Sequence, residues 1–148
     1  MFYGQTGRGK THLAIAIGVA AASSGKTVRF FTAAELVMAL TMANSAGALD
    51  QFMRDLAKAD LLILDEFGYV PLDVNGARLL FQVVSACYEK RSVVFTTNIE
   101  FSKWGTILGD GKLAPAMIDR VVHHGRLVEF NGTSKRMNKA LMLGKAEI

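Results

Sequence analysis

Near its amino end the chain reads Gly4-Gln5-Thr6-Gly7-Arg8-Gly9-Lys10-Thr11. Glycines allow successive backbone amides to turn toward one concavity without Cβ clashes, and the amino end of a following helix adds positive potential. A run rich in Ala, Leu and Ile does follow at once, over 11–24, and has the composition of a helix. The stretch therefore predicts a loop and helix end that hold phosphate oxygens.

Glycine at the first and sixth positions, followed by lysine and a hydroxyl residue, is the P-loop pattern. It predicts ATP as the nucleotide, with the Lys10 ammonium on the β- and γ-phosphate oxygens and the Thr11 hydroxyl on Mg²⁺. A glycine-rich loop without nucleotide is the alternative. The predicted nucleotide-binding residues are Gly4, Gln5, Thr6, Gly7, Arg8, Gly9, Lys10, Thr11 and His12.

A second motif is a wholly apolar run over 61–64 that is followed by Asp65 and Glu66. Such a run between charged residues is typical of a parallel strand covered on both faces. Asp65 is predicted to hold Mg²⁺, and Glu66 to orient and partly deprotonate the attacking water. A strand that runs into a solvated turn would look the same, but the P-loop lies about fifty residues upstream, as two intervening βα units would place it.

The rest of the chain alternates short β-rich runs with helical stretches, without repeats or low-complexity tracts. Alternation of this kind predicts an α/β fold of three layers, αβα, around a mostly parallel sheet of about five strands. Only three residues precede Gly4, so the first strand is expected to be cut short. Thr32 and Glu35 have the spacing of a capping box. Further strands are predicted at 27–31, 61–64, 92–97 and 126–130, and helices at 11–24, 32–43, 46–58, 76–88 and 112–122.

Three further residues are candidates for the chemistry. Asn98, at the end of the predicted strand 92–97, could hydrogen-bond the attacking water or the γ-phosphate, or it could simply begin a turn. Arg120 and Arg136 could stabilise charge on the transferred phosphoryl group, one of them across a subunit boundary, or each could form a surface salt bridge.

The net charge of +4 arises from 17 Lys and Arg against 13 Asp and Glu, and the surplus lies at the carboxyl end. Between residues 120 and 145 the sequence has one acidic residue, Glu129. This part could contact the phosphates of a nucleotide or of DNA, or it could be an ordinary solvated face. Its basic residues are Arg120, Arg126, Lys135, Arg136, Lys139 and Lys145, with His123 and His124 between them.

Several classes of protein are disfavoured by the sequence. No apolar run reaches the roughly eighteen residues of a membrane span, and the amino end lacks the features of a signal peptide. The lone Cys87 excludes an internal disulfide and is expected to be a small buried side chain. A cytoplasmic protein without a membrane partner is expected.

Taken together, the motifs resemble the AAA+ ATPases of the IstB/DnaC family, which are insertion-sequence transposition helpers and bacterial helicase loaders. The tract from Trp104 to His124 looks particularly like the IstB transposition helpers. The segments that carry the resemblance, in family order, are 9–14, 65–68, 96–98, 101–110 and 119–123.

The resemblance implies the sensor-1 role for Asn98, a trans-acting arginine finger for Arg120 and the sensor-2 role for Arg136. It also implies a homo-oligomer that assembles on DNA with ATP and delivers or activates a transposase. The alternatives are a DnaC-type loader of a replicative helicase and a nucleotide-binding module without turnover.

Residues 1–148 are expected to form the AAA+ ATPase domain without the amino-terminal segment of the family. Helpers more often carry an aromatic residue just before the sensor-2 arginine, where this chain has Lys135.

Overall fold

The centre of the fold is a parallel sheet, seen in a computed structural model that describes residues 1–139. The sheet has five strands in the order β2-β3-β4-β1-β5, and every neighbouring pair is parallel. The predicted α/β fold with a five-stranded parallel sheet is therefore confirmed. The strands are β1 (Phe2–Tyr3), β2 (Val28–Thr32), β3 (Leu61–Phe67), β4 (Ser92–Thr97) and β5 (Val128–Glu129).

Helices cover both faces of the sheet. Along β3, Leu61 and Ile63 pack in one apolar cluster with the first helix, whereas Leu62 and Leu64 belong to a larger cluster with the second and fourth helices. Successive side chains of a strand point to opposite faces, so the two clusters lie on the two sides of the sheet and the fold has three layers. The helices are α1 (Lys10–Ser23), α2 (Ala33–Ser45), α3 (Leu49–Leu56), α4 (Val74–Cys87), α5 (Trp104–Leu108), α6 (Leu113–His123) and α7 (Lys135–Asn138).

Helix α2 begins at the predicted capping box. The Thr32 hydroxyl accepts a hydrogen bond from the Glu35 amide at 3.2 Å, and the Glu35 carboxylate accepts one from the Thr32 amide at 2.9 Å. Two amides that a helix start would leave unpaired are thereby satisfied. The predicted helix 46–58 is shorter than expected, because Gly47 has a φ of 69° and separates α2 from α3.

Strand β3 extends past the two acids with which the sequence predicted it to end. It continues to Phe67, so Asp65 and Glu66 lie within the strand, and its pairing with β4 shifts register between Leu64 and Phe67. Glu66 has a φ of 56°, which is uncommon for a residue with a side chain. The bulge therefore turns Glu66 out of the regular alternation.

Three helical elements were not predicted. A 3₁₀ turn (Phe101–Lys103) leads directly into α5, and α7 follows β5 near the carboxyl end of the described chain. Each is too short to show a helical period in the sequence. In residues 1–139 there is no helix with the length and apolar character that crossing a membrane requires.

Candidate functional site

The loop between β1 and α1 packs against the segment that precedes α7. Gly7 has a φ of 82°, and a Cβ atom on it would lie 2.1 Å from the Ser134 hydroxyl oxygen. The Lys135 amide donates to the Gly7 carbonyl at 3.0 Å. Gly9, which caps α1, has a φ of 96° and open space around it, so its backbone conformation and not its packing favours glycine. Both glycines therefore have a backbone conformation that disfavours a side chain, and at Gly7 the packing against Ser134 excludes one as well.

Lys10 begins α1 and is almost fully buried. Its ammonium donates to the carbonyl oxygens of Gly4 at 2.5 Å and Gln5 at 2.9 Å, which holds the charge against the loop. Burial lowers the pKa of Lys10, and the charges of Arg136 and Arg8 add to this, while Asp65 acts in the opposite direction. A cation that is held in place with few counter-charges favours the approach of an anion.

Asp65 is held by two hydroxyl groups. The Thr11 hydroxyl donates to Asp65 Oδ1 at 2.9 Å, and the Thr96 hydroxyl donates to the same oxygen. The Asp65 side chain is buried, at 4% exposure. Thr11 and Asp65, which the sequence predicted as the magnesium ligands, are therefore in contact. A hydroxyl and a carboxylate oxygen side by side form the hard-oxygen set that suits Mg²⁺, so these residues fit that ion.

Glu66 lies beside this pair with an exposed side chain. Its amide donates to the Thr96 hydroxyl at 3.0 Å, which supports the strained backbone at the bulge. Thr96 thus contacts both acids, yet the sequence prediction did not include it. The sequence signals for Thr96 were a position near the end of a strand expected beside β3 and a place in the segment 96–98, which carries part of the family resemblance.

A cleft of about 590 Å³ lies between the loop, the acids and α7. Its volume is in the range of small-molecule sites. The structure brings Arg136 into this cleft, together with Lys135 and Lys139, which the prediction had placed only in a basic stretch. Lys145, from the same stretch, lies outside the described residues. The lining residues are Gly7, Gly9, Lys10, Thr11, His12, Ile15, Asp65, Glu66, Tyr69, Lys135, Arg136 and Lys139.

Four predicted nucleotide-binding residues do not line the cleft: Gly4, Gln5, Thr6 and Arg8. The carbonyls of Gly4 and Gln5 face the Lys10 ammonium. Arg8 donates to the Phe130 carbonyl at 3.0 Å and to the Gln5 side chain at 2.7 Å. In this arrangement Arg8 holds the loop to the end of β5.

Asn98 follows β4 and is also absent from the cleft lining. Its side-chain oxygen is buried and accepts no hydrogen bond from the described residues. A buried carbonyl without a donor costs free energy, so this oxygen would gain a partner if the Asn98 side chain turned toward a donor at the end of β4.

Arg120 lies far from the cleft. It is in the last turn of α6, donates to the Ala116 carbonyl at 3.0 Å and lies over the Phe81 ring, 4.8 Å from its centroid. It lines a separate cavity with Met1 and Ser92, at the amino ends of β1 and β4. The P-loop follows β1, at the carboxyl ends of the strands. Arg120 and the P-loop cleft of the same chain are therefore at opposite ends of the sheet.

Solved structures show the same fold. The match to AMPPCP-bound DnaA from Aquifex aeolicus has a TM-score of 0.75 and 22% identity, and covers 97% of this chain and 43% of that one. The DnaC helicase loader matches with a TM-score of 0.74 and 23% identity, over 88% of this chain and 76% of that one. The fold is that of the AAA+ P-loop domains.

Curated relatives are more similar in sequence. The protein of Geobacillus stearothermophilus named as the ATP-binding protein of insertion sequence IS5376 is 43% identical over 139 residues, which are 94% of this chain and 55% of that protein. The corresponding protein of insertion sequence IS21 from Pseudomonas aeruginosa is 39% identical, over 95% of this chain and 53% of its own length. This chain spans about half the length of these relatives. The profile of the family described as IstB-like ATP binding protein matches residues 1–142. The chain belongs to the family of IstB-like ATP binding proteins.

Proposed function

We propose that this chain binds ATP with Mg²⁺ and hydrolyses it, as a helper of DNA transposition that assembles on DNA and acts on a transposase. The observation that carries the proposal is the meeting of Lys10, Thr11, Asp65 and Glu66 around one cleft. Relatives of this family are named for insertion sequences and described as ATP-binding, which supports the biological part of the proposal.

Binding of the triphosphate is the task of the loop and the basic side chains. The amides at the start of α1 and the Lys10 ammonium would hold the β- and γ-phosphate oxygens. Thr11 and Asp65 would hold Mg²⁺, which neutralises charge on the phosphate oxygens when it is bound. Arg136 lines the same cleft and can hold the γ-phosphate.

Hydrolysis needs a base beside the phosphate. Glu66 is exposed in the cleft, where its carboxylate can orient water and accept its proton. The Thr96 hydroxyl accepts a hydrogen bond from the amide of Glu66, whose backbone is left-handed, and donates one to the adjacent Asp65. Strained backbone of this kind is common at catalytic sites. Asn98 follows β4, and a turn of its side chain toward the cleft would let its buried oxygen accept a hydrogen bond from that water.

The position of Arg120 supports an oligomer. Because it lies at the opposite end of the sheet from the cleft, it can reach a γ-phosphate only in a neighbouring copy of the chain. A finger supplied in this way couples turnover to assembly. A loader of a replicative helicase remains the second candidate, and the likeness to the DnaC helicase loader favours it at the level of fold alone.

Replacing Glu66 with glutamine tests the enzymatic part of the proposal. Glu66→Gln should retain ATP binding and lose turnover by about 10²-fold or more, because the amide keeps the shape but cannot accept the proton. Phosphate release with and without DNA, together with equilibrium nucleotide binding, measures both properties.

The control is Glu100→Gln, an exposed glutamate that does not line the cleft. It should turn over like the wild type. Undiminished hydrolysis by Glu66→Gln would remove Glu66 from the role of base. ATP binding without hydrolysis by the wild type, with or without DNA, would favour a nucleotide-binding module instead.

A further inference from the structure

A cluster of metal-ligating side chains lies away from the cleft, where the carboxyl ends of α4 and α6 meet. Glu89, His123 and His124 each offer one ligand atom, and these atoms all lie within 4.8 Å of one another. Ligands of a tetrahedral zinc ion, at bonds of about 2.0–2.1 Å, are roughly 3.4 Å apart. Small side-chain rotations would bring the three atoms to that spacing. We propose that Glu89, His123 and His124 form a binding site for a first-row transition-metal cation of the class that includes zinc.

Two contacts already hold the ligands in place. His124 Nε2 and a Glu89 carboxylate oxygen are 2.8 Å apart and share a hydrogen bond, so the ion would replace the proton between them. The Tyr88 hydroxyl contacts His123 Nδ1, and the Tyr88 ring stacks on the same imidazole, with centroids 6.1 Å apart. An oxygen partner on one ring nitrogen is the usual support of a histidine that binds a metal.

The backbone at Glu89 gives independent support. The Lys90 amide donates to the Cys87 carbonyl at 3.0 Å, and Tyr88 has φ −55° and ψ 128°, as in the second position of a type II turn. Glu89 occupies the third position, where glycine is favoured, with a φ of 58°. The chain therefore places a carboxylate beside His124 at a position whose conformation disfavours any side chain.

The chemistry of the cluster selects the class of ion. Two imidazoles and one carboxylate suit zinc, nickel or copper, whereas Mg²⁺ and Ca²⁺ prefer oxygen ligands. Arg91 and Arg120 line the same cavity as Glu89 and His124. The positive charges of these two arginines repel cations, so an ion that is held by electrostatic attraction alone is disfavoured at this site. All three ligands are exposed, so the ion can enter and exchange freely.

Binding of the ion would join the end of α4 to the end of α6. Arg120 lies one turn before His123 on α6, so the ion would also fix the helix end that carries this arginine. The link to catalysis in a neighbouring copy rests on the proposed function, but the metal site itself does not.

Zinc titration of the full chain tests the site. The protein is first freed of metals by chelation, and the titration is done without nucleotide and with excess Mg²⁺, which separates the result from any activity of the cleft. We expect one equivalent of zinc to bind. His123→Ala and His124→Ala should each lower the zinc affinity at least about tenfold. Cobalt(II) added instead of zinc should give the absorption bands of four-coordinate cobalt, and the same variants should lose them.

Matched controls come from the rest of the chain. His12 and Cys87 are the remaining histidine and cysteine of the chain. His12→Ala and Cys87→Ser should retain the wild-type zinc affinity. Zinc at about 100 times its dissociation constant should raise the folded-to-unfolded ratio of the wild type about 100-fold.

The variant Glu89→Gly distinguishes a loss of zinc binding from a loss of folding stability. Glycine relieves the conformational strain at this position, so the variant should resist urea at least as well as the wild type without zinc, yet bind zinc more weakly. The proposal is overturned if the wild type binds no zinc, if His123→Ala and His124→Ala bind it unchanged, or if His12→Ala or Cys87→Ser loses it to the same extent.

Discussion

Thr96 shows how a single hydroxyl group can organise a site. It donates to Asp65 and accepts from the Glu66 amide, and it is 1% exposed. A hydroxyl has one proton to donate and two lone pairs, so both bonds can form at once. The same side chain therefore orients the proposed magnesium ligand and supports the bulge that presents the proposed base.

Removing this hydroxyl should damage both stability and turnover. Thr96→Val keeps the shape but leaves the part-buried Glu66 amide without its acceptor and the Asp65 carboxylate with the Thr11 hydroxyl as its remaining donor, at a cost of about 1–3 kcal/mol in the free energy of unfolding. ATP turnover per folded molecule should also fall. Urea unfolding and phosphate release measure the two effects.

Thr97 provides the comparison for Thr96. It is fully buried and also loses two hydrogen bonds on mutation to valine, but its partners are the Phe67 carbonyl and the Ile99 amide, not the acids. Thr97→Val should lose stability to a similar extent and keep its turnover per folded molecule. Equal turnover in the two variants would show that Thr96 has no role in positioning the acids.

At the scale of elements, the sequence predicted best what local chemistry determines. The apolar run at 61–64 correctly predicted the core of β3, and the pair Thr32 and Glu35 correctly predicted the start of α2. In both cases the residues that indicate the structure are neighbours in the sequence. Helix α5 was not predicted from the sequence, because so short a helix has no stability of its own. It depends on burial of Trp104, Ile107 and Leu108. The bulge at Glu66 was not predicted either, because it depends on a hydrogen bond to Thr96, which is distant in the sequence.

The capping box of α2 gives a prediction at this scale. Thr32→Ala should lower the free energy of unfolding by about 1 kcal/mol, since the Glu35 amide loses its acceptor. Hydrogen bonds from Thr32, first from its amide, lower the pKa of Glu35 from its ordinary value of 4.5. The contribution of Glu35 is therefore complete above that value and is lost as the pH falls through the lowered pKa.

Urea unfolding of the wild type and of Glu35→Ala as a function of pH measures this dependence. The stability difference between them should be constant near neutral pH and should shrink below pH 4.5. A difference that stays the same at acid pH would mean that the Glu35 charge does not stabilise the start of α2.

At the scale of the whole molecule, the strand order decides which residues can meet. Strand β1 lies between β4 and β5, although it comes first in the chain. This order places the loop after β1 close to the ends of β4 and β3, and thus brings Thr11 to Asp65. The sequence predicted that the motifs share the carboxyl edge of a parallel sheet, but the order of the strands depends on packing across the whole sheet.

The same geometry separates Arg120 from its own cleft and gives the last prediction. If Arg120 acts on the nucleotide of a neighbouring copy, Glu66→Gln and Arg120→Ala should each be nearly inactive alone, because one lacks the base and the other lacks the finger. An equal mixture forms some interfaces in which an intact cleft meets an intact Arg120. Random assembly makes about a quarter of the interfaces of this kind, so turnover should recover to at most about a quarter of the wild-type value.

Phosphate release over a series of mixing ratios measures the recovery, which should be greatest near equal amounts. Arg54→Ala, which removes an exposed arginine of α3 instead, should be active alone. An Arg120→Ala variant with wild-type turnover would show that Arg120 is not the finger. If Arg120→Ala is folded and binds ATP but is inactive, and no mixture recovers activity, Arg120 does not act on the nucleotide of a neighbouring copy.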